Sequence, residues 1–202
     1  MIKDTVDKDY WISAWSRFKD GDKEAFAIFY NQHVDSLYQY GRKLCIDDDT
    51  VKDAIQEVFL DLYMRREQNS VGYENLKYYL LLALKRNLIR KLQTQRRFDD
   101  TKITDVHHTE PEFSIEYSLI EKEHEEEIRI KLTNALNQLP EKQKEAIYLR
   151  FNEALDYRDI ALILGITVES VRTQIYRALK TVRQILDSKT FTILLKLFSK
   201  KR

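Results

Sequence analysis

The chain has 202 residues, with 34 Lys and Arg against 33 Asp and Glu, a formal net charge of +1, and 43% hydrophobic residues. That apolar fraction excludes wholesale disorder, and 4 Gly with 2 Pro are too few turn formers for an all-β chain. The lone Cys45 excludes an internal disulfide or a cysteine-built zinc site, and no uncharged run approaches the ~20 residues of a membrane span. With no apolar leader at the N-terminus either, the chain is expected to be all-α and cytoplasmic.

The near-neutral total hides a segregation of charge. Residues 1–98 carry a net of +2, residues 99–127 hold 11 acidic against 2 basic residues, and residues 128–202 hold 15 basic against 7 acidic. Two surfaces that suit polyanions are thus separated by an acidic strap. The expected organisation is an N-terminal helical domain over 1–98, an acidic linker over 99–127, a second helical domain over 128–187, and a basic amphipathic tail over 188–202.

In the first domain, Asp22 to about Leu44 is expected to be helical, with Phe26, Phe29, Tyr30, Leu37 and Tyr40 at helical spacing. Asp49 or Thr50 is expected to cap the next helix, which runs to about Arg66. Its apolar stripe is Ile55, Val58, Phe59 and Leu62, and its other face stacks Asp53, Glu57 and Asp61 at i, i+4, i+8. A loop from Gln68 to about Tyr73 leads into a third helix ending near Arg97. In the second domain, helices are expected over Ile128–Leu139, Glu141 to about Phe151, and Asp156–Leu164, the last ended by Gly165. Thr167 then caps a helix reaching at least Leu186.

Between Lys77 and Arg97 there are seven Lys and Arg and no acid. Leu81, Leu84, Leu88 and Leu92 form one face of that helix; Arg86, Arg90, Gln93 and Arg97 form the opposite one. Guanidiniums about one helical turn apart suit a phosphate backbone better than a solvated face, which normally mixes both signs. Lys85 and Asn87 lie in the same row of turns, and Tyr73, Tyr78 and Tyr79 lie at its front, where aromatic rings either stack unpaired bases or fill a core.

The segment Ile160-Ala161-Leu162-Ile163-Leu164-Gly165-Ile166-Thr167 has the spacing of a helix-turn-helix. Ala161 is small where the helices cross, Gly165 makes the turn, and Val171, Ile175, Ala178 and Val182 face inward. The outer side of the second helix offers Glu169, Ser170, Arg172, Thr173, Tyr176, Arg177 and Lys180, residue types that read base edges or phosphates in a major groove. The carboxylates Asp53, Glu57 and Asp61 suit a basic protein partner better than catalysis, since no His or Cys lies nearby in sequence. The four histidines show no metal-binding spacing, and no phosphate loop, dinucleotide fingerprint or nucleophile elbow occurs. Neither an enzyme nor a cofactor or metal requirement is expected.

Asp53-Ala54-Ile55-Gln56-Glu57-Val58-Phe59-Leu60 resembles the second conserved region of sigma-70 family RNA polymerase sigma factors. Leu136-Asn137-Gln138-Leu139-Pro140 and Tyr157-Arg158-Asp159-Ile160-Ala161 through Ala178 resemble their fourth region. The compact layout of these modules is similar to the extracytoplasmic-function group. The resemblance implies that Asp53, Gln56, Glu57, Phe59 and Asp61 dock on the clamp helices of the largest subunit of core RNA polymerase, the fourth region meeting its flap. It implies that Tyr73, Tyr78, Tyr79, Lys85, Arg86, Asn87, Arg90 and Arg97 recognise and melt the −10 promoter element. The second helix of the helix-turn-helix would read the −35 duplex, and the acidic linker would thread toward the active cleft. A membrane-linked anti-sigma factor is a further implied partner; a small-molecule substrate is not.

The family's usual Trp before the basic helix is replaced here by Tyr79, and its Ala-Arg-Asn aligns on Lys85-Arg86-Asn87 in two registers, so the −10 contact falls on Arg86 or Asn87. The tail, with Phe191, Leu194, Leu195 and Phe198 on one stripe, reads either as a closing helix or as a docking surface for an anti-sigma partner or the membrane interface. The rival readings are a stand-alone helix-turn-helix repressor or activator, and a helical adaptor that binds no DNA.

Overall fold

The computed structural model describes residues 2–99 and 123–200, with side chains for residues 8–95 and 127–198. The chain forms two compact units, Met1–Pro111 and Glu112–Arg202. The expected linker lies almost wholly outside the described residues, as do His107 and His108.

The first unit holds α1 (Ile2–Lys19), α2 (Lys23–Leu44), α3 (Asp48–Met64), a 3-10 turn (Tyr73–Asn75) and α4 (Leu76–Asp99). Asp22 caps α2 by accepting from Glu24 N at 2.8 Å and Ala25 N at 3.2 Å. The cap of α3 is Asp47, not Asp49 or Thr50: its carboxylate accepts from Thr50 N at 2.9 Å. Asp49 and Thr50 fall inside the first turn, where an acid still favours the helix dipole. Leucines 76, 80, 81, 84 and 88 of α4 are fully buried and pack on α2 and α3, and Leu92 is only half-buried. Gly41 marks the closest approach of α2 and α3, because a Cβ built there would stand 2.7 Å from Val51 Cγ1.

The α1 helix, to which the sequence reading assigned no element, buries Ala14, Trp15 and Phe18 against α2. The Trp15 and Phe29 rings meet edge to face at 5.2 Å between centroids. Its buried residues and half-buried Trp11 repeat at i, i+3, i+4, i+7, while Tyr10 and Ile12 lie off the stripe and stay 52% and 48% exposed. The stripe is short, and the exposed apolar residues Tyr10 and Ile12 blur it in the sequence.

The second unit holds α5 (Glu123–Asn137), α6 (Glu141–Ile147), a π-turn (Tyr148–Asn152), α7 (Tyr157–Leu164), α8 (Val168–Ile185) and α9 (Ser188–Lys200). The helix expected to run to Phe151 stops at Ile147 and widens into the π-turn, which turns both Tyr148 and Leu149 into the core. Burial beside Glu153 raises the Tyr148 hydroxyl well above its ordinary range. Gly165 adopts φ 64°, ψ 36°, the left-handed geometry expected of it, and Thr167 Oγ1 caps α8 by accepting from Ser170 N at 3.1 Å. The tail is a closing helix: Leu194 and Phe198 of α9 are buried, and the Phe198 ring stacks on Phe151 at 3.9 Å and 7°.

Candidate nucleic-acid interfaces

The hydrophobic side of α8, built from Val171, Ile175, Ala178 and Val182, is buried where α6 and α7 pack on it. That docking fixes which side chains face outward. The Tyr176 ring is 67% exposed, and Arg177, Lys180 and Arg183 are exposed along the same stripe. Glu169 and Arg172 are exposed as well, and they pair at 3.4 Å across one turn. Ser170 and Thr173 are half-buried, and the Ser170 hydroxyl lies 2.8 Å from that of Thr167 within the cap. Five of the seven residues expected to read the duplex therefore stand in solvent, while Ser170 is committed to starting the helix.

Sequence reasoning missed the support beneath Arg172. Its guanidinium lies 5.7 Å from the Tyr157 ring centroid, and that of Arg150 lies 4.8 Å from the same ring. Arg150 also donates to Leu155 O at 2.6 Å, which ties the π-turn to the start of α7. Nothing in the spacing of Arg150, Tyr157 and Arg172 shows that the three meet; the π-turn brings them together.

On α4, Arg86, Arg90 and Gln93 are exposed opposite the leucine face, whereas Lys85 and Asn87 are half-buried. Arg97 lies in α4, but its side chain is outside the described residues. Tyr73, Tyr78 and Tyr79 are each half-buried, so each ring has one part in the fold and one in solvent. Burial raises the Tyr79 hydroxyl above its ordinary value.

The face of α3 divides into parts. Asp53 and Gln56 are exposed. Asp61 pairs with Arg65 at 2.6 Å within the helix. Glu57 is also exposed, its side chain at 47%, and it bonds to α4 at the surface: Asn87 Nδ2 donates to its Oε2 at 2.6 Å, Lys91 Nζ donates to its Oε1 at 2.7 Å, and the Arg90 guanidinium lies 3.5 Å from Oε2. The bonds from Lys91 and Asn87 hold the Glu57 carboxyl below the usual carboxylate range. A recess of about 560 Å³ lies between α3 and α4, with Leu60, Met64, Arg86, Asn87 and Arg90 on its walls.

Phe59, expected among the docking residues, is only 2% exposed. It belongs to the core stripe that Val58 and Leu62 also form, and its ring lies 4.7 Å from that of Tyr30 and 6.2 Å from that of Phe26. Its side chain is core, and it reaches the surface only as part of the wall of an apolar groove of about 430 Å³ shared with Phe26, Tyr30, Gln56, Leu60 and Tyr63. Leu60 and Met64 are 61% and 69% exposed, and neither was singled out from sequence. The available signal was their position on the polar side of α3, between the acids.

Among the described residues, no group of His, Cys, Asp and Glu is arranged to hold a metal ion. Among the same residues, no helix is long and apolar enough to cross a membrane.

The family described as Sigma-70 region 2 matches residues 29–98, and that described as Sigma-70, region 4 matches residues 129–182. Together these matches span more than half of the chain. The chain is 27% identical to the ECF RNA polymerase sigma factor BldN of Streptomyces coelicolor, over 84% of this chain and 63% of that relative. It is 26% identical to the ECF sigma factor SigW of Bacillus subtilis, over 82% and 91% of the two chains. It is 29% identical to the ECF sigma-E factor of Haemophilus influenzae, over 86% and 91%.

In fold, the chain is similar to the sigma factor RpoE of Bartonella quintana, solved with the anti-sigma factor NepR, at a TM-score of 0.57 and 19% identity over 79% of this chain and 95% of that one. It is likewise similar to CnrH, solved with the cytosolic domain of CnrY, at a TM-score of 0.54 and 17% identity over 88% and 97%. With both regions matched in chain order, on an α3–α4 pair and on a helix-turn-helix built as described, the chain belongs to the sigma-70 family of promoter-directing RNA polymerase sigma factors, in its extracytoplasmic-function group.

Proposed function

We propose that the chain binds core RNA polymerase through α3, reads the −35 duplex with α8, and recognises and melts the −10 element with α4 and the loop before it. Docking falls to Asp53, Gln56 and the apolar groove over Phe59, where a helical partner would bury Leu60. The flap would meet the second unit. The −35 contacts fall to Glu169, Arg172, Tyr176, Arg177 and Lys180, the −10 contacts to Arg86 and Arg90 with the exposed parts of Tyr73, Tyr78 and Tyr79. The polymerase performs the nucleotidyl transfer; this chain supplies recognition and strand separation, in the cytoplasm. Melting is physically within reach of such a surface, because stacking at roughly 1–3 kcal/mol per base and phosphate contacts offset the few kcal/mol of unpairing. A membrane-linked anti-sigma factor is the regulator that suits the group; the complex of RpoE with the anti-sigma factor NepR supports an anti-sigma partner as such.

The observation that carries this division of labour is the pair of separate basic surfaces: Arg86 and Arg90 exposed on a stretch of α4 without acids, and the exposed stripe of α8 over a packed core. It is tested by replacing Arg86 and Arg90 together with Ala, and Arg172 alone with Ala. The first variant should bind core polymerase as the parent does and fail to open promoter DNA. The second should change the preferred −35 sequence, because a base-edge contact discriminates by about 1–3 kcal/mol whereas a phosphate contact does not. Loss of polymerase binding by the first, or an unchanged −35 preference in the second, contradicts the assignment.

A further inference from the structure

The inference concerns how α4 is aimed, and it rests on the assignment of α4 to the −10 strand. Sequence places Glu57 in an acidic row pointing at a protein partner, yet its carboxylate is spent on α4, on Asn87 and Lys91 at 2.6 and 2.7 Å. Those bonds join residues 30 and 34 positions apart in sequence and bridge the two helices that wall the recess. The Asn87 amide is fixed by them. Its nitrogen donates to Glu57, while its Oδ1 is buried with no hydrogen-bond partner. The reverse orientation would set an oxygen against a carboxylate. An amide so committed, with its acceptor sealed from solvent, is not placed to read a base. Lys91 is only 25% exposed and is likewise engaged, while Arg90 is 72% exposed and touches the same carboxylate at the longer distance of 3.5 Å. The carboxylate thus offsets the charge of Lys91 between the helices and leaves Arg86 and Arg90 as the exposed α4 cations of the recess, whose remaining cation, Arg65, is paired with Asp61.

We infer that Glu57 is a positioning residue for promoter opening: with Asn87 and Lys91 it braces α4 against α3 so that Arg86 and Arg90 face the −10 strand, and Asn87 belongs to the brace and not to the DNA contact. Between the two registers left open by the sequence, this selects Arg86.

The test uses the full-length protein with core polymerase and a promoter duplex carrying a fluorescent base analogue in the −10 element. Glu57→Ala should keep its Kd for core polymerase within about twofold and lower the yield of open complex at least about fivefold, the loss expected when a charged hydrogen-bond pair is broken. Glu57→Gln keeps an acceptor for Asn87 and should recover at least half of the opening, a rescue that a mere fold defect would not show. Asn87→Ala should reproduce the opening defect, and combining it with Glu57→Ala should add nothing further. If Glu57→Ala weakens polymerase binding by the same factor as opening, Glu57 is a docking residue and the inference is wrong. If Arg86→Ala with Arg90→Ala opens DNA normally, the −10 assignment itself fails. If that pair is defective while Glu57→Ala opens normally, only the brace is refuted. Thermal unfolding followed by tryptophan fluorescence checks folding, and a Glu57→Ala chain that unfolds leaves the decision to Glu57→Gln against the parent.

Discussion

Gly41 sits in close contact with α3, and its replacement sets two opposing terms against each other. Gly41 lies in the last turn of α2, where an alanine gains at most about 1 kcal/mol of helix propensity over glycine. Its Cβ, however, would stand 2.7 Å from Val51 Cγ1, 3.5 Å from Leu84 Cδ2 and 3.7 Å from Leu88 Cδ1. The first distance is below any ordinary carbon contact, and Val51 is itself fully buried, so α2 and α3 must separate. Overpacking of this kind costs typically 1–3 kcal/mol, leaving Gly41→Ala roughly neutral to ~2 kcal/mol destabilised. Val51→Ala removes the clashing methyl at the expense of a cavity. In the Gly41→Ala background it should therefore cost less than in the parent, by about 1 kcal/mol. The assay is urea unfolding read by tryptophan fluorescence. Both tryptophans, Trp11 and Trp15, lie in α1, so the signal reports the first unit without interference from the second. A Gly41→Ala chain stabilised by about the full helix-propensity gain, or additive costs in the double variant, would refute the close-approach reasoning.

Ala154 has a positive φ of 57°, a geometry that costs a residue with a Cβ ~1 kcal/mol, so Ala154→Gly should raise the melting temperature of the second unit by a few degrees in calorimetry. Phe198→Ala should destabilise that unit by about 3 kcal/mol, since it removes a buried ring stacked on Phe151, and should leave the tryptophan-reported unfolding of the first unit unchanged. Glu57 has a folded-state pKa below its unfolded value, so its contribution is present above about pH 4.3 and is lost as pH falls through the lowered value. The stability gap between the parent and Glu57→Gln should accordingly be widest near neutrality and narrow in acid; a gap that widens in acid contradicts the sign.

Much of the fold was legible because its helices carry local signals strong enough to survive tertiary context. Asp22, Thr167 and Gly165 do at their helix ends what their chemistry favours, and the leucines of α4 repeat with the helical period because one face of that helix meets both α2 and α3. The start of α3 was misplaced by two or three residues because Asp47, Asp48, Asp49 and Thr50 are all competent caps, and only the bond to Thr50 N decides among them. The π-turn was illegible, since it answers the need to bury Tyr148 and Leu149 at once and leaves no residue-type signature.

The exposed stripe of α8 was legible from the sequence in five of its seven residues, because a helix with one buried stripe dictates its other face. The α3 surface was not. Helical spacing set Asp53, Glu57 and Asp61 in a row, but whether a carboxylate on that row faces solvent or a neighbouring helix depends on how far away α4 lies. Phe59 shows the converse, a residue that family resemblance places at an interface and packing places in the core.

A sigma factor confers promoter specificity on core polymerase, and transcription in vitro measures that directly. Purified protein is added to bacterial core polymerase on fragmented DNA from its own genome, and the RNA 5′ ends are mapped. Discrete start sites are expected that require the protein, share −35 and −10 elements, and vanish with Arg86→Ala plus Arg90→Ala. Specific duplex binding by the protein alone, with no polymerase-dependent start sites, would contradict that expectation.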